Sequence, residues 1–200
     1  TRYSAKISSI PAEEVCKQFR GVAFETVRGE EARKEKLHRK DLHFTRPIFT
    51  FKESDTHKLV SPYSVKSTKV GFATVLAHPS LNTFRESIEL SFFIKRVKPD
   101  WLGVGLTRNK NNFTMTERGF YLWVSNGWTF FDGQQQQSNQ RFCQNDKITM
   151  RYDKAKNLLV MYKNGKSYEP RLVELPEDVW NELHPCVVFY NKGDIVDILQ

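Results

Sequence analysis

The feature that most constrains this chain is a change of hydrophobic period at Pro47. From there, apolar residues recur at every second position. Ile88, Leu90, Phe92 and Ile94 alternate with Glu89, Ser91 and Lys95, and Ile148, Met150 and Tyr152 alternate with Thr149 and Arg151. A period of two places alternate side chains on opposite faces of an extended strand. Further short runs stand at Phe120 to Val124, Leu158 to Tyr162, Val187 to Tyr190 and Ile195 to Leu199. Many short strands joined by polar turns predict an all-β, two-sheet antiparallel β-sandwich over residues 47–200. Asn164-Gly165 is the strongest hairpin signal, because a type I′ turn needs positive φ at both central positions. One short helical turn is expected around Glu177 to Leu183, and the run Gln134 to Gln137 reads as a polar loop.

Residues 1–46 read differently, as an N-terminal helical extension or linker. Val15, Phe19 and Val22 recur at helical spacing after Pro11, Ser9 lies in the cap region, and Glu13 and Glu14 suit a helix N-terminus. A first helix is therefore expected to about Arg20, with its apolar stripe docked on the sandwich or on another chain. A mixed-charge stretch follows Gly29. The chain opens at Thr1 without an initiator Met and shows no signal-peptide apolar region, so it is expected to be a piece of a longer protein.

Charge and composition narrow the function class. Aromatic residues make up 13% of the chain, the balance of a packed domain rather than a solvated tail. No apolar run approaches the roughly 20 residues of a membrane helix. Cys16, Cys143 and Cys186 are too few and too scattered for a disulfide framework or a paired zinc knuckle, which suits a reducing, intracellular compartment, cytoplasmic or nuclear. His184 and Cys186 share one face of an extended strand but lack two further zinc ligands, and they read as a buried thiol beside a histidine. The net charge of +8 is uneven. Residues 1–110 hold 21 Lys or Arg against 12 Asp or Glu, and residues 111–200 hold 10 against 11. A basic first half suits an acidic partner, nucleic acid included.

Motifs for catalysis fail on inspection. Gly165-Lys166-Ser167 has the end of a phosphate-binding loop, but Val160 stands where the first glycine belongs and strands flank it on both sides. There is no G-x-S-x-G nucleophile elbow. A sandwich glycosidase needs two carboxylates flanking a sugar. Glu89 is the one acid on its strand, and Asp194 and Asp197 fall on opposite faces. Arg118-Gly119-Phe120 and Lys69 to Ala73 approach an RNA-recognition strand, yet both read better as core strands with aromatics packed inward. No catalytic residue, metal site or cofactor is assigned.

Read as one unit, Phe72 to Leu199 resembles the SPRY family. Ser87 to Lys95 is followed by Trp101-Leu-Gly-Val-Gly105, similar to the family's strand and W-x-x-G-V element. Gly119 to Trp123 and Phe131-Asp-Gly133 resemble its glycine-aromatic strand and following loop. Asp146 to Asp153 resembles its G-D-x-I-G-V-x-x-D strand, with Thr149 and Met150 where the family has Gly and Val. Leu158 to Gly165 resembles the L-x-F-x-x-N-G hairpin, and Leu183-His-Pro185 with Val187 to Tyr190 resembles the closing strand. Residues 47–71 then supply the strands that precede this core.

The resemblance implies two packed antiparallel sheets of concanavalin-like jelly-roll type. It also implies a non-catalytic module that binds a protein or peptide through loops at one end, in a scaffold or ubiquitin-ligase-type protein. Carried onto this chain, the loops hold Ser61 and Tyr63, then Arg108, Asn109, Lys110 and Phe113, then Tyr190, Asn191 and Lys192. Their charges are all positive, so a partner with Asp or Glu is expected. Nucleic-acid binding and carbohydrate binding are the competing readings. Trp101, Trp123, Phe92 and Ile148 are expected in the core.

Overall fold

The computed structural model describes residues 46–84, 87–98, 101–108, 113–115, 118–138, 140–167, 173–175 and 179–199. The chain divides between His43 and Phe44. The expected first helix, with Val15, Phe19 and Val22, lies outside the described residues, as do Asn109 and Lys110.

The strands, in chain order, are β1 (Thr50–Phe51), β2 (His57–Ser61), β3 (Ser64–Ser67), β4 (Ala73–His78), β5 (Ile88–Arg96), β6 (Leu102–Thr107), β7 (Phe120–Val124) and β8 (Trp128–Phe131). They continue as β9 (Gln134–Gln137), β10 (Lys147–Asp153), β11 (Leu158–Lys163), β12 (Lys166–Ser167), β13 (Val173–Glu174), β14 (His184–Phe189) and β15 (Ile195–Leu199). One sheet has the order β1-β4-β14-β6-β7-β8-β9; the other runs β12-β11-β10-β5-β15-β3-β2, with β13 added on β11. Every strand pairing in both is antiparallel. Single 3-10 turns stand at Leu81–Thr83, Lys154–Lys156 and Trp180–Glu182, the last where one helical turn was expected.

The alternation of β5 works as the sequence suggests. Ile88, Leu90, Phe92 and Ile94 face the interior, where they meet Ile148, Met150, Val196 and Ile198 of their own sheet and Val104, Leu106, Trp123 and Val187 of the facing one. Trp123 packs edge-on to Phe142, with ring centroids 5.7 Å apart. Tyr152 and Trp180 stack at 3.7 Å. Full burial of such rings is the main term holding the sheets together.

The other face of the β6–β7 sheet is buried as well. Phe120, Leu122, Val124, Phe130, Cys186 and Val188 form a second apolar cluster capped by Trp101 and Phe113. That is why β7 reads Phe-Tyr-Leu-Trp-Val without a polar position: both of its faces are covered. Trp101 is therefore a core residue, as expected, but of this outer layer. On β6 the outward positions are Gly103 and Gly105, and each is tight. A Cβ on Gly103 would lie 3.3 Å from the Trp101 ring, and one on Gly105 would run into the Tyr121 carbonyl oxygen.

The Asn164-Gly165 turn has φ of 51° and 78°, both positive as a type I′ hairpin requires. The Asn164 side chain adds its own ties. Its Oδ1 accepts the Lys147 amide at 2.8 Å and its Nδ2 donates to Asp146 at 2.7 Å. Burial pushes the Asp146 carboxyl up, but the Cys143 amide, the Asn164 amide and Lys163 together outweigh it and hold it below its ordinary value. One expectation fails outright. Gln134–Gln137 is an edge strand, in register with β8 from Phe131 to Trp128. All four glutamines are exposed, so nothing in their pattern signals a face, and backbone pairing alone extends the sheet.

Candidate interaction surface

Strand register divides the expected binding residues between the two ends of the sandwich. Tyr190 follows β14 and Gly193 precedes β15, so the segment between them marks one end. There Gly193 donates to the Ser67 carbonyl at the end of β3, and Gly71 before β4 donates to the Tyr190 carbonyl. Ser61 and Tyr63 lie at the far end of the β2–β3 hairpin, where the Ile198 amide reaches the Tyr63 carbonyl and the Phe51 amide reaches Pro62. Arg108 also falls far from Tyr190, because β6 runs antiparallel to β14 and pairs Thr107 with His184 but Leu102 with Phe189. Its guanidinium lies 3.7 Å from Asp132. Phe113 is 1% exposed and belongs to the core. Its ring sits 5.1–5.3 Å from Phe72, Trp101, Phe120 and Phe130, and its amide donates to the Thr74 hydroxyl. Phe72 in turn touches Tyr190 at 5.1 Å. Tyr190, Asn191 and Lys192 thus stay together, Phe72 links the Tyr190 ring to Phe113, and Ser61, Tyr63 and Arg108 are elsewhere.

The Tyr190 end has a second feature, which the sequence did not single out. Lys58, Lys66, Arg96, Lys98 and Lys192 line an open groove of about 530 Å³, together with Ser67, Thr68 and Gly193. Register builds the row. Lys58 pairs with Lys66 across β2 and β3, Lys66 with Ile195 across β3 and β15, and Ile195 with Arg96 across β15 and β5. Exposed Val70 and Tyr190 each lie two residues along the chain from a lining residue, Thr68 and Lys192, and the Gly71 amide next to Val70 donates to the Tyr190 carbonyl.

Two buried polar residues hold this end in place. His57 is 4% exposed; its Nε2–H donates to the Lys52 carbonyl at 2.6 Å and its Nδ1 accepts from the Ser54 hydroxyl at 2.8 Å, fixing the start of β2. Asp194 is fully buried. Its Oδ1 accepts the Lys98 amide at 2.9 Å and its carbonyl accepts the Ser67 amide at 3.0 Å, so one residue joins three groove segments. Burial pushes its carboxyl up to about 6, against the opposing pull of the Lys98 amide and the charges of Lys98 and Arg96.

The acids weighed for sugar cleavage are engaged in structure. Glu89 accepts from Arg151 Nε at 2.6 Å and lies 3.1 Å from Arg46, and Asp197 pairs with Lys95 at 2.7 Å. His184 and Cys186 do share a face of β14, with the thiol fully buried and pushed far up by that burial. Among the described residues no group of three or more His, Cys, Asp or Glu is placed to hold a metal.

A two-sheet antiparallel sandwich of this order is the architecture of a known class of solved domains. The SPRY domain of human HERC1 matches with a TM-score of 0.58 at 25% identity, covering 75% of this chain and 97% of that one. The TRIM65 PSpry domain matches at 0.57 and 11% identity, over 78% and 91% of the two chains. A human SPRY domain matches at 0.54 and 13%, over 76% and 96%. No family model and no curated protein matches the sequence. The described body has the SPRY-domain fold.

Proposed function

We propose that this domain is a non-catalytic protein-interaction module that binds a peptide or partner protein at the end of the sandwich marked by Tyr190, Asn191 and Lys192. The observation that carries the reading is the pairing, on a SPRY-type sandwich, of exposed Tyr190 with a rigid aromatic support running through Phe72 to Phe113. A preorganised tyrosine gives large contact area at small entropic cost. The partner class, a protein or peptide with acidic residues, is supported by the positive charge of this end. The family resemblance supports a scaffold or ubiquitin-ligase-type parent. The free thiols Cys143 and Cys186 support an intracellular setting, cytoplasmic or nuclear. Among the described residues no helix is long and apolar enough to cross a membrane.

The experiment is affinity capture from the native cell with the unmodified domain, Tyr190→Ala, and Tyr63→Ala as a variant at the opposite end. The reading expects partners retained by Tyr63→Ala and lost by Tyr190→Ala, with unchanged melting of both. Partners lost by Tyr63→Ala and Arg108→Glu alone would move the site to the other end.

A further inference from the structure

Among the described residues, six basic side chains outside this groove have an acidic neighbour. Lys95 has Asp197, Arg151 and Arg46 share Glu89, Lys163 has Asp146, Lys156 has Asp153 and Arg108 has Asp132. Lys58, Lys66 and Lys192 have no such ion pair among the described residues, Arg96 and Lys98 have only buried Asp194 beneath them, and the five converge on one groove. Lys58 and Lys66 stand directly opposite each other, an arrangement of like charges that destabilises a sheet. A lysine on an edge strand is ordinarily a guard against strand addition. That accounts for Lys58 on β2. It does not account for Arg96 at the end of the interior strand β5, or for Lys98 and Lys192 in the connections.

We infer that this groove receives an acidic segment of a partner protein, whose carboxylates compensate the row of cations and whose adjacent apolar side chain packs on Val70 and Tyr190. The inference rests on the interaction-module reading and specifies the chemistry of that site. Charge complementarity selects the anion. The apolar border selects a peptide over nucleic acid. Val70 is 71% exposed and Tyr190 38% exposed, an aliphatic and a single ring. Single-stranded nucleic acid is held by successive aromatic platforms, and the other exposed ring among the described residues, Tyr63, lies at the opposite end. Asp194, sealed under the groove, sets the frame by binding the Lys98 amide while carrying no exposed negative surface toward the ligand.

The test uses the whole chain and two labelled probes, an oligoglutamate peptide ending in leucine and a single-stranded DNA oligonucleotide, followed by fluorescence anisotropy at two salt concentrations. The native protein should bind the peptide more tightly than the DNA, with affinity falling as salt rises. Lys66→Glu should weaken peptide binding on the order of tenfold, because it deletes an attraction and inserts a repulsion. The same substitution places a carboxylate opposite Lys58 and should raise the melting temperature, so binding and stability move in opposite directions. Val70→Ser should remove the gain contributed by the terminal leucine. Tighter binding of DNA by the native protein, no peptide binding at low salt, or unchanged peptide affinity in Lys66→Glu would overturn the inference. If Lys66→Glu binds normally while Tyr190→Ala loses cellular partners, the groove assignment fails and the module reading stands.

Discussion

Phe113→Ala separates a packing role from a contact role at one position. The ring is 1% exposed and has four aromatic neighbours at centroid distances of 5.1–5.3 Å, three of them edge-on. Truncating a buried phenylalanine costs about 3–5 kcal/mol, from lost transfer energy and from the cavity left behind. Edge-on aromatic pairs add about 0.5–1.5 kcal/mol each beyond area burial, which favours the upper part of that range. The bond from the Phe113 amide to the Thr74 hydroxyl survives the substitution, so the loss is confined to the ring. For a domain of this size, about 3 kcal/mol corresponds to a fall in melting temperature of roughly 6–12 °C. Urea unfolding followed by tryptophan fluorescence reads it directly, since Trp101 lies 5.1 Å from the missing ring. Met115→Ala is the control, because that side chain is 52% exposed and should change stability by less than about 0.5 kcal/mol. A Phe113→Ala protein within about 1 kcal/mol of the native one would refute the outer core layer.

Other positions give independent checks. Gly105→Ala forces a Cβ into the Tyr121 carbonyl and should prevent soluble folding or lower the melting temperature more than Gly165→Ala, which meets no atom within 4 Å and carries only the strain of its φ of 78°; equal effects would contradict the β6–β7 approach. Asp194→Asn tests a linkage whose sign is fixed by burial. The folded carboxyl titrates at about 6 against 3.8 ordinarily, so the folded state binds the proton more tightly and stability is lost as pH rises between those values. Asparagine keeps an acceptor for the Lys98 amide without the charge, so it should stabilise by up to about 3 kcal/mol at about pH 8 and by little at about pH 3. The same difference at both pH values would remove the effect of burial. Trp123→Ala should unfold or destabilise the domain by about 3–5 kcal/mol, read as a lost cooperative melt; an unchanged melting temperature would refute its place between the sheets.

Much of the sandwich was legible because period-two alternation reports a buried face, and β5 and β10 place Ile88, Phe92 and Ile148 where their spacing put them. Asn164-Gly165 was legible because few residues adopt the left-handed region at both turn positions. Two elements were not. The strand Gln134–Gln137 pairs through its backbone with side chains that are polar on both faces, so alternation carries no trace of it. Phe113 looks like any aromatic in a polar loop, and only register shows that its segment covers the outer face of β6 and β7. The groove was missed for a related reason. Lys58 and Lys66 become neighbours only once a hairpin centred on Pro62 and Tyr63 sets the register, and Arg96, Lys98 and Lys192 reach them through β15. The basic first half hinted at such a surface without locating it. The family-derived loops were spread over two ends because β6 and β14 run antiparallel, which sends Arg108 away from Tyr190.

The central claim is that partners dock at the Tyr190 end, and site-specific photo-crosslinking in the cell addresses it most directly. A benzophenone amino acid replaces Tyr190 in one protein and Tyr63 in another, both exposed tyrosines at opposite ends of the sandwich. Discrete protein adducts from position 190 that compete with an acidic peptide, and none from position 63, are the predicted result. Adducts from position 63 alone would contradict the account.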